Sequence, residues 1–241
     1  MYQKYTTEAI VLSARERGEA DKTIILLTKD FGLLFARAIG ARKESSLMRY
    51  ALVTGSTARI SLVRGKREWR IAGAVSVSCG LNGASLHVFA RMARLVSRLV
   101  HGEEENEQLF ETVRTAHEAL MVADVKALPS IELLAVARVL HSLGYIAPEA
   151  VGSALFVQTA YTPEMAAETE KARIALLGAV NAAIAASGVF FANKLRANTD
   201  ELAAVLDQLI RSLANCERGE LLSPSSFQIA SCRAFADGVS L

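Results

Sequence analysis

The sequence is poor in cysteine and proline, and each shortage excludes a class of protein. Three cysteines among 241 residues, Cys79, Cys216 and Cys232, are too few and too scattered for a disulfide framework or a four-cysteine zinc site. A reducing, cytoplasmic setting is therefore expected. Four prolines in a chain that is 51% hydrophobic and 22% charged are typical of a folded globular protein rather than a fibrous or disordered one.

Recognisable catalytic motifs are also missing. The sequence contains no phosphate-binding loop, no dinucleotide-binding glycine motif, no nucleophile elbow and no zinc-protease helix motif. None of the four histidines has the spacing of a metal-ligand set. The acidic triplet 103–105 precedes a predicted helix, where carboxylates favour the N-terminal dipole. We therefore expect no enzyme, no cofactor and no metal.

One long run, residues 174–193, has twenty residues without a charge, about the length of a membrane-spanning helix. It is rich in alanine and contains Asn181 and Ser187 away from its ends, so a buried helix is favoured over insertion. The N-terminus has no apolar core of signal-peptide length, so secretion is disfavoured.

Charge is distributed unevenly along the chain. Residues 1–100 carry 17 Lys and Arg against 7 Asp and Glu, a net +10, whereas residues 101–241 carry 10 against 18, a net −8. An excess of ten positive charges in the first half favours a polyanionic partner, either nucleic acid or a membrane surface. A merely solvating surface is the alternative.

The first eighty residues have the pattern of short strands separated by glycines and charges. Five segments are predicted as strands: 9–12, 23–27, 33–39, 57–63 and 69–77. Five short strands without a long helix predict an OB-fold, a barrel whose face and loops bind single-stranded nucleic acid.

From residue 84 the apolar period becomes helical, with helices predicted over 84–100, 106–122, 129–144, 163–188 and 199–215. The predicted fold class is therefore α+β. An OB-fold barrel occupies residues 1–80, and an α-helical domain occupies 81–241. The last twenty residues are expected to be partly disordered.

A nucleic-acid groove in such a barrel needs cations for phosphates and aromatic rings for bases. Four aromatic residues are candidates for stacking: Phe31, Phe35, Tyr50 and Trp69. Trp69 is preferred because it is flanked by Arg67 and Arg70, although each of the four rings fits a core position as well. The segment 39–46, "IGARKESS", offers two cations and two hydroxyls suited to phosphates, and a plain surface turn would use the same residues. The candidate DNA-binding residues are Lys22, Arg37, Arg42, Lys43, Arg49, Arg64, Lys66, Arg67 and Trp69, with Arg59 and Arg70 in a wider set.

The stretch 8–46 resembles the N-terminal domain of the RecO family of recombination mediators. The resemblance is carried by a Gly-Glu-x-Asp-Lys segment at 18–22, by Thr28 before a charged pair, by Phe31-Gly32, and by the Gly-Ala-Arg-Lys turn from Gly40. Further on, "EEENEQLFETVRTAHEAL" and "LHSLGYIAP" look like the family's helical domain, so the resemblance covers roughly residues 5–150.

The resemblance implies an OB-fold followed by helices, binding to single- and double-stranded DNA, and annealing of complementary strands. It also implies cooperation with RecR and the single-stranded DNA-binding protein to load RecA, without enzymatic turnover. The DNA role falls chiefly on Lys22, Arg37, Arg42, Lys43 and Arg49. Many members hold zinc with cysteines after the Leu-Gly-Tyr helix end, and this chain has none there, so no zinc is predicted.

The family's contact with the acidic tail of the single-stranded DNA-binding protein needs an apolar pocket rimmed by cations. Arg91, Arg94 and Arg98, beside Phe89, Met92 and Leu95 on helix 84–100, are the candidates. A solvated basic face over a core stripe is the alternative reading of this helix. For the whole chain, the alternative to a DNA-binding mediator is a protein-interaction scaffold without DNA binding.

Overall fold

A computed structural model of the chain describes residues 3–66, 68–78, 80–81, 83–100, 102–147, 154–157, 161–180 and 182. Four predictions fall at least partly outside these residues: the helix 199–215, the partly disordered tail, the DNA-binding role of Arg67 and the end of the helix 163–188. Among the described helices, none combines the length and the apolar character that a bilayer crossing requires.

The N-terminal part is a closed five-stranded barrel. Its strands follow the order β1-β2-β3-β5-β4, with β4 pairing back to β1 and with all neighbours antiparallel except β3 and β5. This is the OB-fold topology, which confirms the predicted fold class. The strands are β1 (Lys4–Arg17), β2 (Asp21–Thr28), β3 (Gly32–Ala38), β4 (Thr57–Arg64) and β5 (Trp69–Ser78).

Alternation of side chains explains the barrel. In β4, Ala58, Ile60 and Leu62 point inward and are buried, whereas Arg59 points outward and is exposed, as period-two patterning predicts. Strand β1 is much longer than the predicted 9–12. It begins at Lys4, where exposed side chains alternate with buried or partly buried ones, and it continues to Arg17. A short helix, α1 (Met48–Ala51), was not predicted.

Helices follow the barrel. Asn106 caps the second long helix with its side chain, which accepts a hydrogen bond from the Leu109 amide at 2.9 Å. Pro129 lies in the first turn of the third long helix, and Gly144 (φ +79) follows that helix's end. The helices are α2 (Gly83–Leu99), α3 (Glu107–Val122), α4 (Leu128–Ser142), α5 (Ala154–Val157) and α6 (Pro163–Lys171), with a 3-10 turn at Val125–Ala127.

The barrel and the helices share a core. Ile10, Leu27 and Leu33 lie on the outer face of β1–β3 and pack in one buried cluster with residues of α2, α3 and α4. The buried His117 of α3 reaches the barrel, where its Nε2 lies 2.7 Å from the Gly55 carbonyl oxygen. One patch of the barrel's outer face is therefore covered by helices.

A second apolar cluster joins α4 to the segment beyond it. Arg138 is buried there, with its Nε donating to the Leu155 carbonyl at 2.8 Å and its guanidinium 4.8 Å from the Tyr161 ring centroid. Burial raises the pKa of Tyr161 to about 12. A buried guanidinium thus ties together chain segments that are far apart in sequence.

Candidate nucleic-acid interface

The strand register places four cations in one row around the outside of the barrel. Arg15 pairs with Thr23, Thr23 with Arg37, and Arg37 with Arg70. The row continues from Arg70 through Val63 to Lys4. Paired residues on neighbouring strands point to the same face, so these side chains follow one line of cross-strand neighbours on the outer surface, which starts at Arg15 and returns to β1 at Lys4. We call Lys4, Arg15, Arg37 and Arg70 the basic rung.

Arg37 of the basic rung is held by two carboxylates. Its Nε and Nη2 donate to Asp21 Oδ2 at 2.9 and 2.6 Å. Its Nη1 lies 3.5 Å from Glu68 Oε1, and Glu68 Oε2 accepts a hydrogen bond from Arg17 at 3.0 Å. The carboxylates of Asp21 and Glu68 therefore neutralise much of the positive charge of Arg37, which the sequence predicted to contact DNA.

The same network keeps its carboxylates ionised. The Gly40 amide, which donates to Asp21 Oδ1 at 2.8 Å, together with Arg37, lowers the pKa of Asp21. The hydrogen bond from Arg17 lowers the pKa of Glu68. Because both acids stay charged, Arg37 is held in a fixed orientation on the barrel surface.

The segment 39–46 is an ordered turn. Gly40 has a φ of +68°, and the Lys43 amide donates back to its carbonyl at 3.1 Å. Arg42 donates to the Gly18 carbonyl at 2.8 Å and lies 3.1 Å from Glu16 Oε2. Lys43, beside it, is exposed. The two adjacent cations therefore differ, since Arg42 joins the turn to the β1–β2 connection and Lys43 extends to solvent.

Arg49 lies in α1, and Lys22 contacts the residue that follows this helix. The Lys22 ammonium donates to the Leu52 carbonyl at 3.2 Å, and the Arg49 guanidinium lies 5.2 Å from the ring centroid of Tyr50. Lys22 therefore ties β2 to the end of α1, and Arg49 is associated with an exposed aromatic ring.

Trp69 lies in the core, which corrects the expectation of a stacking ring at this position. The side chain is 5% exposed and packs edge-on against Tyr5. Its Nε1 donates to Glu103 Oε1 at 2.9 Å, and Arg64, whose guanidinium lies over the ring, also approaches Glu103 at 3.3 Å. Glu103 thus contacts the barrel, in addition to preceding α3 as the sequence predicted.

Two other aromatic rings are open to solvent. Phe35 is 58% exposed and Tyr50 is 70% exposed, whereas Phe31 is partly buried against the barrel core with Trp69. Phe35 and Trp69 point to opposite faces of the sheet, because alternate residues of a strand do so. In "LLFARA" Phe35 shares the face of Arg37, and Trp69 shares the inward face of Ile71. That signal was present in the sequence.

Exposed cations also lie on β5 and in the connections next to β3 and β5. Within the described part of the chain, Lys43, Lys66 and Arg70 are exposed and have no ion pair. Arg67, beside Lys66, is outside the described residues. Lys4 and Arg15 were missed by sequence reasoning, and only the strand register brings them into line with Arg37 and Arg70.

The predicted partner site on α2 is closed. Phe89, Met92 and Leu95 are fully buried, so they form no open apolar pocket, which corrects the expectation for this helix. Arg91 donates twice to the buried carboxylate of Glu132 on α4, at 2.6 and 2.5 Å.

The other two cations of that predicted site, Arg94 and Arg98, are partly buried. The cationic stripe on α2 therefore lies against other parts of the protein over much of its surface.

Comparison with known proteins finds similarity to recombination proteins over part of the chain. Residues 1–74 match the family model described as "Recombination protein O N terminal". Each of the following relatives is named "DNA repair protein RecO". The protein of Desulforudis audaxviator is 44% identical over 64 residues, covering 27% of this chain and 26% of the relative. That of Heliobacterium modesticaldum is 32% identical over 122 residues, covering 49% and 44%.

A third relative with the same name, from Dehalococcoides mccartyi, is 30% identical over 120 residues, covering 48% of this chain and 47% of the relative. The chain thus matches less than half the length of each of these three relatives. The matched family model ends within β5, so it covers nearly all of the barrel and the basic rung.

Proposed function

We propose, from the match of residues 1–74 to the RecO N-terminal family model, that the chain acts in DNA repair and recombination by binding DNA on the outer face of its barrel. The observation that carries the proposal is a set of three exposed cations without an ion pair among the described residues: Arg70 of the basic rung, Lys43 in the turn after β3, and Lys66 in the β4–β5 connection. Phosphate contacts supply most of the affinity in such interfaces, and a cation whose donors are not already bound within the protein has more of them to offer a phosphate.

The division of charge along the chain supports this choice of surface. The first hundred residues hold a net +10 and the remainder a net −8. A polyanion is therefore attracted to the barrel and repelled from much of the rest. Residues 1–80 are the proposed DNA-binding unit, and 81–241 the proposed helical unit.

The finer role follows the resemblance. We propose binding to single- and double-stranded DNA, annealing of complementary strands, and help in loading RecA together with RecR, without enzymatic turnover. Contact with the tail of the single-stranded DNA-binding protein belongs to the same proposal, on a surface other than the buried pocket residues of α2. The proposed location is the cytoplasm, at the nucleoid.

The test is a salt titration of binding. Fluorescence anisotropy of a labelled single-stranded oligonucleotide is measured at several salt concentrations with the wild type and with Lys43→Ala/Lys66→Ala. Each lost phosphate contact on a single strand lowers the slope of log K against log salt by about 0.7. The double variant is expected to bind more weakly and to lower the slope by up to about 1.4.

The matched control is Lys126→Ala/Lys171→Ala, which removes the same charge from exposed positions of the helical part. It is expected to keep the wild-type slope. Equal slopes for the two double variants would exclude Lys43 and Lys66 from the interface. A wild type that does not bind DNA at low salt, yet captures protein partners after nuclease treatment, would support the scaffold alternative.

A further inference from the structure

Phe35 occupies an unusual position on the barrel. Its neighbours in β3, Leu34 and Ala36, point inward and are buried, so the Phe35 ring points outward, where it is 58% exposed. Leu33, two residues earlier on the same outer face, is buried beneath the helices. Phe35 is thus the first outward residue of β3 beyond the surface that the helices cover.

The surroundings of the ring are cationic. Arg37 is the next outward residue of β3, about 7 Å along the strand, and it pairs across the sheet with Arg70. Asp21 and Glu68 fix the Arg37 guanidinium, whereas Arg70 has no ion pair within the described residues. The Phe35 ring therefore lies beside Arg37, whose guanidinium is fixed, and close to Arg70, which has no ion pair among the described residues.

We propose that Phe35 stacks on an unpaired base and makes this face selective for single-stranded DNA. This role rests on the proposed function, since Phe35 would distinguish single-stranded from double-stranded DNA on the proposed DNA-binding face. An aromatic ring stacks on any base, because every base has a π-face. In a duplex those faces are already stacked on their neighbours, so the ring gains little unless a base leaves the helix.

Charge around the ring favours nucleic acid over a protein as the occupant. An apolar protein surface would meet the uncompensated charge of Arg70, which a phosphate would neutralise. The two occupants also differ in what they require of the side chain. A protein pocket accepts any apolar group of similar size, whereas stacking requires a ring.

The test uses three substitutions and two DNA forms. Phe35→Ala, Phe35→Leu and Phe35→Trp are titrated against a thymidine oligonucleotide and against a mixed-sequence duplex by fluorescence anisotropy. The alanine and leucine variants are expected to lose about five-fold or more in affinity for the single strand. The tryptophan variant is expected to stay close to the wild type. Duplex affinity and the salt slope are expected not to change, because the ring carries no charge.

The control is Val75→Ala, which truncates another exposed apolar side chain on the barrel and is expected to leave both affinities unchanged. Thermal unfolding of each variant checks folding, and Phe35→Leu keeps the test valid if the alanine variant is unstable. Wild-type affinity in the alanine or leucine variant, or equal losses on both DNA forms, would overturn the stacking role while the proposed function stands. A wild type that does not bind either DNA at low salt would overturn the proposed function as well.

Discussion

At the scale of single residues, identical side chains have different roles because their neighbours differ. Arg37 and Arg42 are held by carboxylates and backbone carbonyls, whereas Arg70 extends to solvent without an ion pair among the described residues. A guanidinium whose donors are already bound to the protein has less to offer a phosphate. The number of arginines in a sequence therefore overestimates the number available to DNA.

His117 gives a prediction at this scale. It is 1% exposed, and its burial lowers its pKa below the ordinary value. As the pH falls, the unfolded chain takes up the proton first. The contribution of neutral His117 to the free energy of unfolding is therefore fully present above pH about 6.5 and is lost as the pH falls toward the pKa of His117 in the folded protein. Unfolding free energy measured by urea titration is expected to fall below pH about 6.5, by at most about 1.4 kcal/mol per pH unit.

His117→Gln, which keeps an amide donor for the Gly55 carbonyl but cannot titrate, is expected to remove that part of the pH dependence. His87→Gln, at an exposed position of α2, is the control and is expected to keep the wild-type slope. A His117→Gln protein with the same slope as the wild type would show that another group causes the acid sensitivity.

At the scale of elements, the β2–β3 turn is fitted against the loop between α2 and α3. Gly32, at the start of β3, has a φ of +63°, and a Cβ there would come 2.0 Å from the Glu104 carbonyl oxygen. Lys29 in the same turn lies 3.4 Å from Glu107 at the start of α3. The position of the helices on the barrel depends on this close approach.

Gly32→Ala therefore meets both backbone strain and a backbone clash, whereas Gly18→Ala, at a φ of +61° with no atom within 4 Å, meets strain alone. The strain costs about 1–2 kcal/mol, so the Gly18 variant is expected to lose about that much stability. The Gly32 variant is expected to lose clearly more. Denaturant unfolding of the two variants measures the difference, and equal losses would mean that the loop at Glu104 moves away without cost.

At the scale of the whole molecule, short β-rich segments separated by glycines and charges predicted the five strands and the OB-fold, although β1 extends well beyond the predicted 9–12. The faces of single residues could also be read from parity, as Trp69 with Ile71 and Phe35 with Arg37 show. What could not be read was pairing between distant segments. The alignment of Arg15 with Arg37 and Arg70 depends on the register of four strands, and the Arg91–Glu132 pair depends on how two helices pack.

The proposed DNA interface is the outer face of the barrel next to the helices. Hydrogen–deuterium exchange of the protein with and without a single-stranded oligonucleotide tests it most directly, because it reports on every element at once. Slower exchange is expected in β3, in segment 39–50 and in the first half of β5, with α3 and α4 unchanged. Protection confined to α3 and α4, with none in the barrel, would contradict it.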